Sequence, residues 1–228
     1  MATQVKKTQA DEATMLVIPQ MELGSLKLLV SGKTQLVCQA FSEKAKRTML
    51  GGQTKAPKQG REARDPQADY EACFYYTDDG HYAMPSVAFK KAAIRAATDV
   101  GMKMTDIRRA FFVNDEYVRI YGEPHMRNHP LSAPGDLVRN ANGVADLRFR
   151  PEWTEWAAVL DIEFNTRVIT KEQIINLFNV AGFGVGIGEW RPEKSGGWGR
   201  FYVVTDAQLE DTVDRFDIEP EVLTPVAA

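Results

Sequence analysis

Apolar and polar positions set a strand, a helix and a second strand most sharply in the last third of the chain. WAAVLDIEFN, residues 156–165, ends in strict two-residue alternation, the period of a half-buried strand. Thr170 and Gln173 are spaced as a capping box, and IINLFNVA continues as a helix over 171–181 that Gly182 is expected to end. GRFYVV at 199–204 is the next predicted strand, and DAQLEDTVDRF at 206–216 is an amphipathic helix.

The front half repeats this rhythm less regularly. LKLLVSGKTQLVC, residues 26–38, predicts a strand pair broken at Ser31-Gly32, followed by a short helix, FSEKAKRTML, with Ser42 as N-cap and Gly51-Gly52 as its end. ACFYY and HYAMP flank Asp78-Asp79-Gly80 as a hairpin. A helix follows from residue 86 to about 99, with Ser86 as N-cap. It turns Phe89, Ala93, Ala96 and Val100 inward and puts Lys91 and Arg95 on one exposed face. FFVN and YVRIYG, 111–122, read as a hairpin turning at Asn114-Asp115, and LVRNANGVADLRFR, 137–150, as another turning at Asn142-Gly143.

Two strand–helix–strand units predict an α+β chain with a ferredoxin-like βαββαβ sheet that carries its helices on one face. Residues 15–205 form this domain, with insertions at about 53–70 and 123–152. Residues 1–14 read as a disordered arm, and 206–228 as an acidic helix and tail.

Charge changes this picture locally. The total is −3, yet 44–64 holds seven basic residues and one acidic, while 206–221 holds seven acidic and one basic. A polyanion binder needs a local positive field rather than a positive total. No apolar run approaches the ~20 residues of a membrane span, and the start lacks the apolar core of a secretory signal. Cys38 and Cys73 are the two cysteines and sit in apolar contexts. They predict reduced, buried thiols and a cytoplasmic location, the host cytoplasm if the protein is phage-encoded.

The run GFGVGIGEWRPEKSGGWGRF, 182–201, concentrates the candidate chemistry. Gly184, Gly186 and Gly188 give backbone access, Arg191, Lys194 and Arg200 add charge, and Trp190 and Trp198 add faces on which bases stack. The other reading is a structural corner with core tryptophans. The glycines follow a predicted helix rather than opening one, unlike a dinucleotide fingerprint, and Glu193 rather than glycine precedes Lys194-Ser195, unlike a P-loop. Arg148 and Arg150 share one face of a predicted strand, where they either grip phosphates or solvate an edge. His125 and His129 are flanked by Pro124 and Pro130, which works against a helical metal pair. Asp65, Asp69, Asp78 and Asp79 read as turn and loop residues or, alternatively, as the acidic groups of a metal-dependent nuclease. The pattern predicts no catalytic residue, metal or cofactor.

MPSVAFKKAAIR, 84–95, and GIGEWRPEKSGGWGRF, 186–201, together resemble the RAMP superfamily, the repeat-associated proteins that form the backbone of CRISPR effector complexes. The first segment is similar to the family's I-P-G-S-S-L-K-G-A-L-R, with Pro85 and Lys90 in register. Ser86 and Lys91 stand in place of its glycines, and Arg95 lies one place late. The second is similar to the family's late glycine-rich loop. The stretches LLVSGKTQLVCQAFSEKAKR and GIGEWRPEKSG also resemble a phage-encoded family. The RAMP resemblance implies a ferredoxin-like core, binding of single-stranded RNA or DNA, and side-by-side assembly into a homo-oligomer or multi-subunit complex. It assigns Lys90 and the loop glycines to backbone contacts, with Lys91 and Arg95 as companions. The alternative class is a phage structural or assembly protein whose glycine loop docks on a neighbouring subunit.

Overall fold

A computed structural model describes residues 19–41, 43–53, 64–128, 135–139 and 142–223. The predicted arm at 1–14, the basic residues at 54–63, His129 and the end of the tail lie outside them.

The strands are β1 (Leu23–Gly32), β2 (Leu36–Val37), β3 (Tyr75–Tyr76), β4 (Tyr82–Pro85), β5 (Phe111–Val113), β6 (Tyr117–Tyr121), β7 (Pro124–Met126), β8 (Asp136–Arg139), β9 (Ala145–Arg148), β10 (Pro151–Trp153), β11 (Ala157–Asn165) and β12 (Phe201–Val203). The helices are α1 (Glu43–Gln53), α2 (Pro66–Glu71), α3 (Ser86–Ala96), α4 (Met104–Ala110), α5 (Lys171–Gly184) and α6 (Asp206–Phe216). The main sheet is antiparallel throughout and runs β12-β1-β11-β6-β4-β3, with β5 also paired to β11. The fold is therefore α+β. A second sheet, β2-β10-β7, and the hairpin β8–β9 are built largely from the 123–152 insertion.

Alternation assigns the two faces of the main sheet. Leu26, Leu28 and Val30 of β1 and Ala158, Leu160 and Ile162 of β11 point to the face that α3 and α5 cover. Ala92, Ala93 and Ala96 are small enough to let α3 approach Ile174, Leu177 and Phe178 of α5 closely. Leu29 and Val159 point the other way, onto Val213, Phe216 and Ile218 of α6 and the turn after it. The acidic C-terminal helix thus packs on the sheet's second face. The capping box of α5 is present, with Gln173 N–H donating to Thr170 Oγ1 at 3.2 Å and Thr170 N–H to Gln173 Oε1 at 3.0 Å.

The structure corrects several local expectations. Residues 111–122 are not a hairpin, because β5 and β6 both run antiparallel to β11 and so run the same way. The register shifts between Val113↔Ile162 and Ile120↔Ala158, and residues 114–116 form a bulge. The bulge lets Phe111 and Val113 share the core with Val118 and Ile120, which lie at the opposite parity. The 26–38 pair does not form either, since β1 and β2 belong to different sheets. Pro85, not Ser86, occupies the N-cap position of α3, with no side-chain capping bond. Gly51 and Gly52 lie inside α1, and residues 66–71, expected to be loop in part, form α2 with Asp65 as N-cap. Gly182 does not stop α5. It lies buried within the helix, where a side chain would strike the Phe201 backbone, so it sets how closely α5 approaches β12. No helix among the described residues is long and apolar enough to cross a membrane.

Candidate nucleic-acid interface

Leaving α5, the chain closes residues 185–200 into a loop stitched to itself, to β2 and to the residue just before it. Ile187 N–H donates to Gly199 O at 3.0 Å, and Glu193 N–H to Val185 O at 3.2 Å. Glu189 N–H reaches Val37 O at 2.9 Å, and Gly199 N–H reaches Gln35 O at 2.7 Å. These four amides, with that of Gly186 on Ala181 O at 2.8 Å, are committed to the fold. Gly186 and Gly188 have φ of 69° and 73° and pack tightly, Gly188 against the Val37 carbonyl. Gly184 is exposed at the end of α5. Trp190 itself takes φ 48°, rare for a bulky residue. Trp198 N–H donates to its carbonyl at 3.1 Å, beside Gly196, whose lack of a side chain leaves room for that carbonyl.

The closed loop forms one wall of a cleft of about 760 Å³. α3 and α4 form the facing wall. The floor is apolar, from Met84, Ala92, Val185 and Ile187. The rim carries Lys90, Lys91, Arg95, Arg108, Arg191 and Lys194 against two carboxylates, Glu189 and Glu193. Glu189 is engaged on its far side by Arg150 at 3.4 Å. Lys91, Arg95 and Lys194 are exposed. Lys90 is half-buried with its ammonium 3.5 Å from the centre of the Phe112 ring, and burial holds it below the ordinary lysine value. Arg191 is tied to Gly188 O at 3.1 Å and to Glu193 at 2.8 Å.

Of the residues singled out from sequence, Lys90, Lys91, Arg95, Gly186, Gly188, Arg191 and Lys194 meet in this cleft; Gly184, Arg148, Arg150, Trp190, Trp198 and Arg200 do not line it. Trp190 is 52% exposed, and its ring centre is 6.2 Å from that of half-buried Trp198. Arg127 lies over Trp198 at 3.9 Å, and Arg200 over Phe183 at 4.8 Å. Arg148 binds Asp146 and Gln39. Arg150 is a clear correction. It is 1% exposed and paired with Asp136 and Glu189, so it faces neither solvent nor a ligand. With Arg127, which binds Glu152 at 2.7 Å and lies 3.4 Å from Asp136, it pins the loop to the insertion.

Arg108, Glu189, Glu193 and Arg127 escaped the sequence reading. Arg108-Arg109 after Lys103 was a visible basic cluster, but nothing local to the others marks them. Asp65 caps α2, Asp69 binds Arg64 at 2.7 Å, and Asp79 sits 3.4 Å from His81. His125 lies 3.6 Å from Glu152. Among the described residues, no three histidine, cysteine or acidic side chains converge as metal ligands would.

Cys38 and Cys73 are free and buried. Burial pushes both thiols up, and the Cys38 S–H donates to Cys73 O at 3.3 Å. Neither thiol is therefore expected to react with a disulfide reagent until the protein unfolds. Fast labelling of either in the native state would contradict this burial.

No protein-family model matches the chain, and no curated protein matches it. Among solved structures, the crystal structure of Cmr6 from Pyrococcus furiosus is similar over 81% of this chain and 100% of that one, at 12% sequence identity and a TM-score of 0.40.

Proposed function

We propose that this protein binds single-stranded RNA or DNA without cleaving it, through the cleft between α3 and the 185–200 loop, as a RAMP-type subunit of a homo-oligomeric or multi-subunit assembly. The observation that carries the reading is convergence: α3 and the glycine-rich loop, about ninety residues apart in sequence, line one cleft with six cations on its rim. An apolar floor under a cationic rim suits a strand whose phosphates meet the rim while a base enters the floor. The sheet order supports the family reading. The run β12-β1-β11-β6 within the seven-stranded sheet, with α3 and α5 on one face, is in keeping with the order expected of a ferredoxin-like βαββαβ sheet. The CRISPR-related or phage-encoded setting and the side-by-side assembly come from the sequence resemblance.

The test is a salt-dependent titration of labelled oligouridylate and oligothymidylate. Lys91→Ala with Lys194→Ala removes two exposed rim charges and leaves the loop's internal bonds intact. Exposed ion pairs contribute up to ~1 kcal/mol each, so Kd should rise on the order of tenfold. The slope of log K against log salt should fall by roughly 0.7 per lost contact. Equal affinity and slope in the double variant would remove the cleft as the site.

A second reading, an assembly protein, is favoured by the loop's commitment to internal hydrogen bonds. Defined oligomers that form without nucleic acid and ignore both probes would select it.

A further inference from the structure

The two guanidiniums best placed to hold a phosphate are already holding an anion. Arg191 donates from Nε and Nη2 to one carboxylate oxygen of Glu193, at 3.1 and 2.8 Å. Arg95, reaching across from α3, places its Nε 3.4 Å from the other oxygen. One carboxylate thus bridges the two walls of the cleft.

Resting on the strand-binding reading above, we infer that Glu193 occupies in the free protein the subsite that a backbone phosphodiester of the bound strand takes. A phosphodiester carries the same single charge and offers a similar pair of unshared oxygens to a guanidinium fork. The exchange is inexpensive. The Glu193 side chain is 29% exposed, that of Arg191 30% and that of Arg95 58%, so water already weakens the longer Arg95 pair, and the phosphate replaces the closer Arg191 pair with an equivalent one. The Glu193 backbone is held separately, by its N–H on Val185 O, so the side chain can swing out while the loop stays closed. The bridging carboxylate makes the subsite selective. A lone anion must displace it unaided, whereas a strand adds contacts along the remaining rim and floor.

The prediction runs opposite to that for removing a binding residue. Glu193→Gln removes the charge that competes for both guanidiniums, so whichever probe the wild type binds should bind tighter, on the order of tenfold at about 50 mM salt, with a slope steeper by at most roughly 0.7, the contribution of the one phosphate that takes the subsite. Glu210→Gln on α6 removes the same charge far from the cleft and should change neither value. Should Glu193→Gln loosen the loop, visible as a shift in tryptophan emission, Glu193→Asp carries the test. The retracted carboxylate should give a smaller gain in the same direction. Wild-type binding with no gain in either variant, or a gain matched by Glu210→Gln, overturns the inference and leaves the cleft assignment standing. No binding by wild type or variant overturns both. A gain with oligouridylate alone or oligothymidylate alone supports the subsite and identifies the strand it serves.

Discussion

Alanine at Gly199 is expected to cost about 3 kcal/mol and to release the 185–200 loop. Gly199 has φ 62°, and a Cβ there would drive into the Ile187 carbonyl. A left-handed conformation costs a residue with a Cβ roughly 1–2 kcal/mol. Clearing the clash breaks the pairing of Ile187 N–H with Gly199 O and endangers that of Gly199 N–H with Gln35 O, each worth roughly 0.5–1.5 kcal/mol. For a chain of this length the melting temperature should fall by roughly 6–12 °C. Strand binding should be lost with it, because Arg191 and Lys194 depend on the loop for their places on the rim. A thermal melt within two degrees of wild type, with binding retained, would mean that the loop tolerates a side chain there.

The second large effect is expected at Arg150. Removing one partner of a buried ion pair leaves the other charge uncompensated, at a cost of roughly 3–5 kcal/mol. Arg150→Ala leaves Asp136, which is 6% exposed, with only the longer contact to Arg127 at 3.4 Å, which places the cost toward the lower end of that range, and it releases Glu189 from the insertion. The melting temperature should drop by roughly 6–20 °C. Arg148→Ala, two residues away, removes a half-exposed partner of Asp146 and Gln39 and should change stability by about 1 kcal/mol or less. Equal melts for the two variants would contradict the buried network. The contrast matters because sequence reading treated these arginines as equivalent.

Arg148 and Arg150 show where sequence reasoning stopped. Alternation places them on one face of a strand, but the strand ends at Arg148 and the chain turns into β10. Whether an arginine is solvated or buried depends on what packs over it, here Asp136 and Glu189, which lie 14 and 39 residues away. The bulge at 114–116 failed to show for a similar reason. Asn114-Asp115 satisfies the local chemistry of a turn, and only the continuous partner strand β11 keeps the chain running straight. Glu193 had no signal at all, because its role depends on Arg95 approaching from another helix.

The sequence by itself determined the features settled within a few residues. The capping box starts α5, the period of 206–216 makes α6, the turns at 78–80 and 142–143 make hairpins, and the alternation of 160–165 makes the end of β11. Each is decided by neighbouring backbone and side-chain bonds. It also marked both halves of the candidate site, the cations of α3 and the glycine-rich loop. Only the tertiary structure decided that these halves face each other, that several of the loop's amides bond within the loop or to residues 35–37, and which arginines reach water. The packing of α3 against α5 brings the two walls together. That packing is a long-range agreement of shape and burial, which no local pattern encodes.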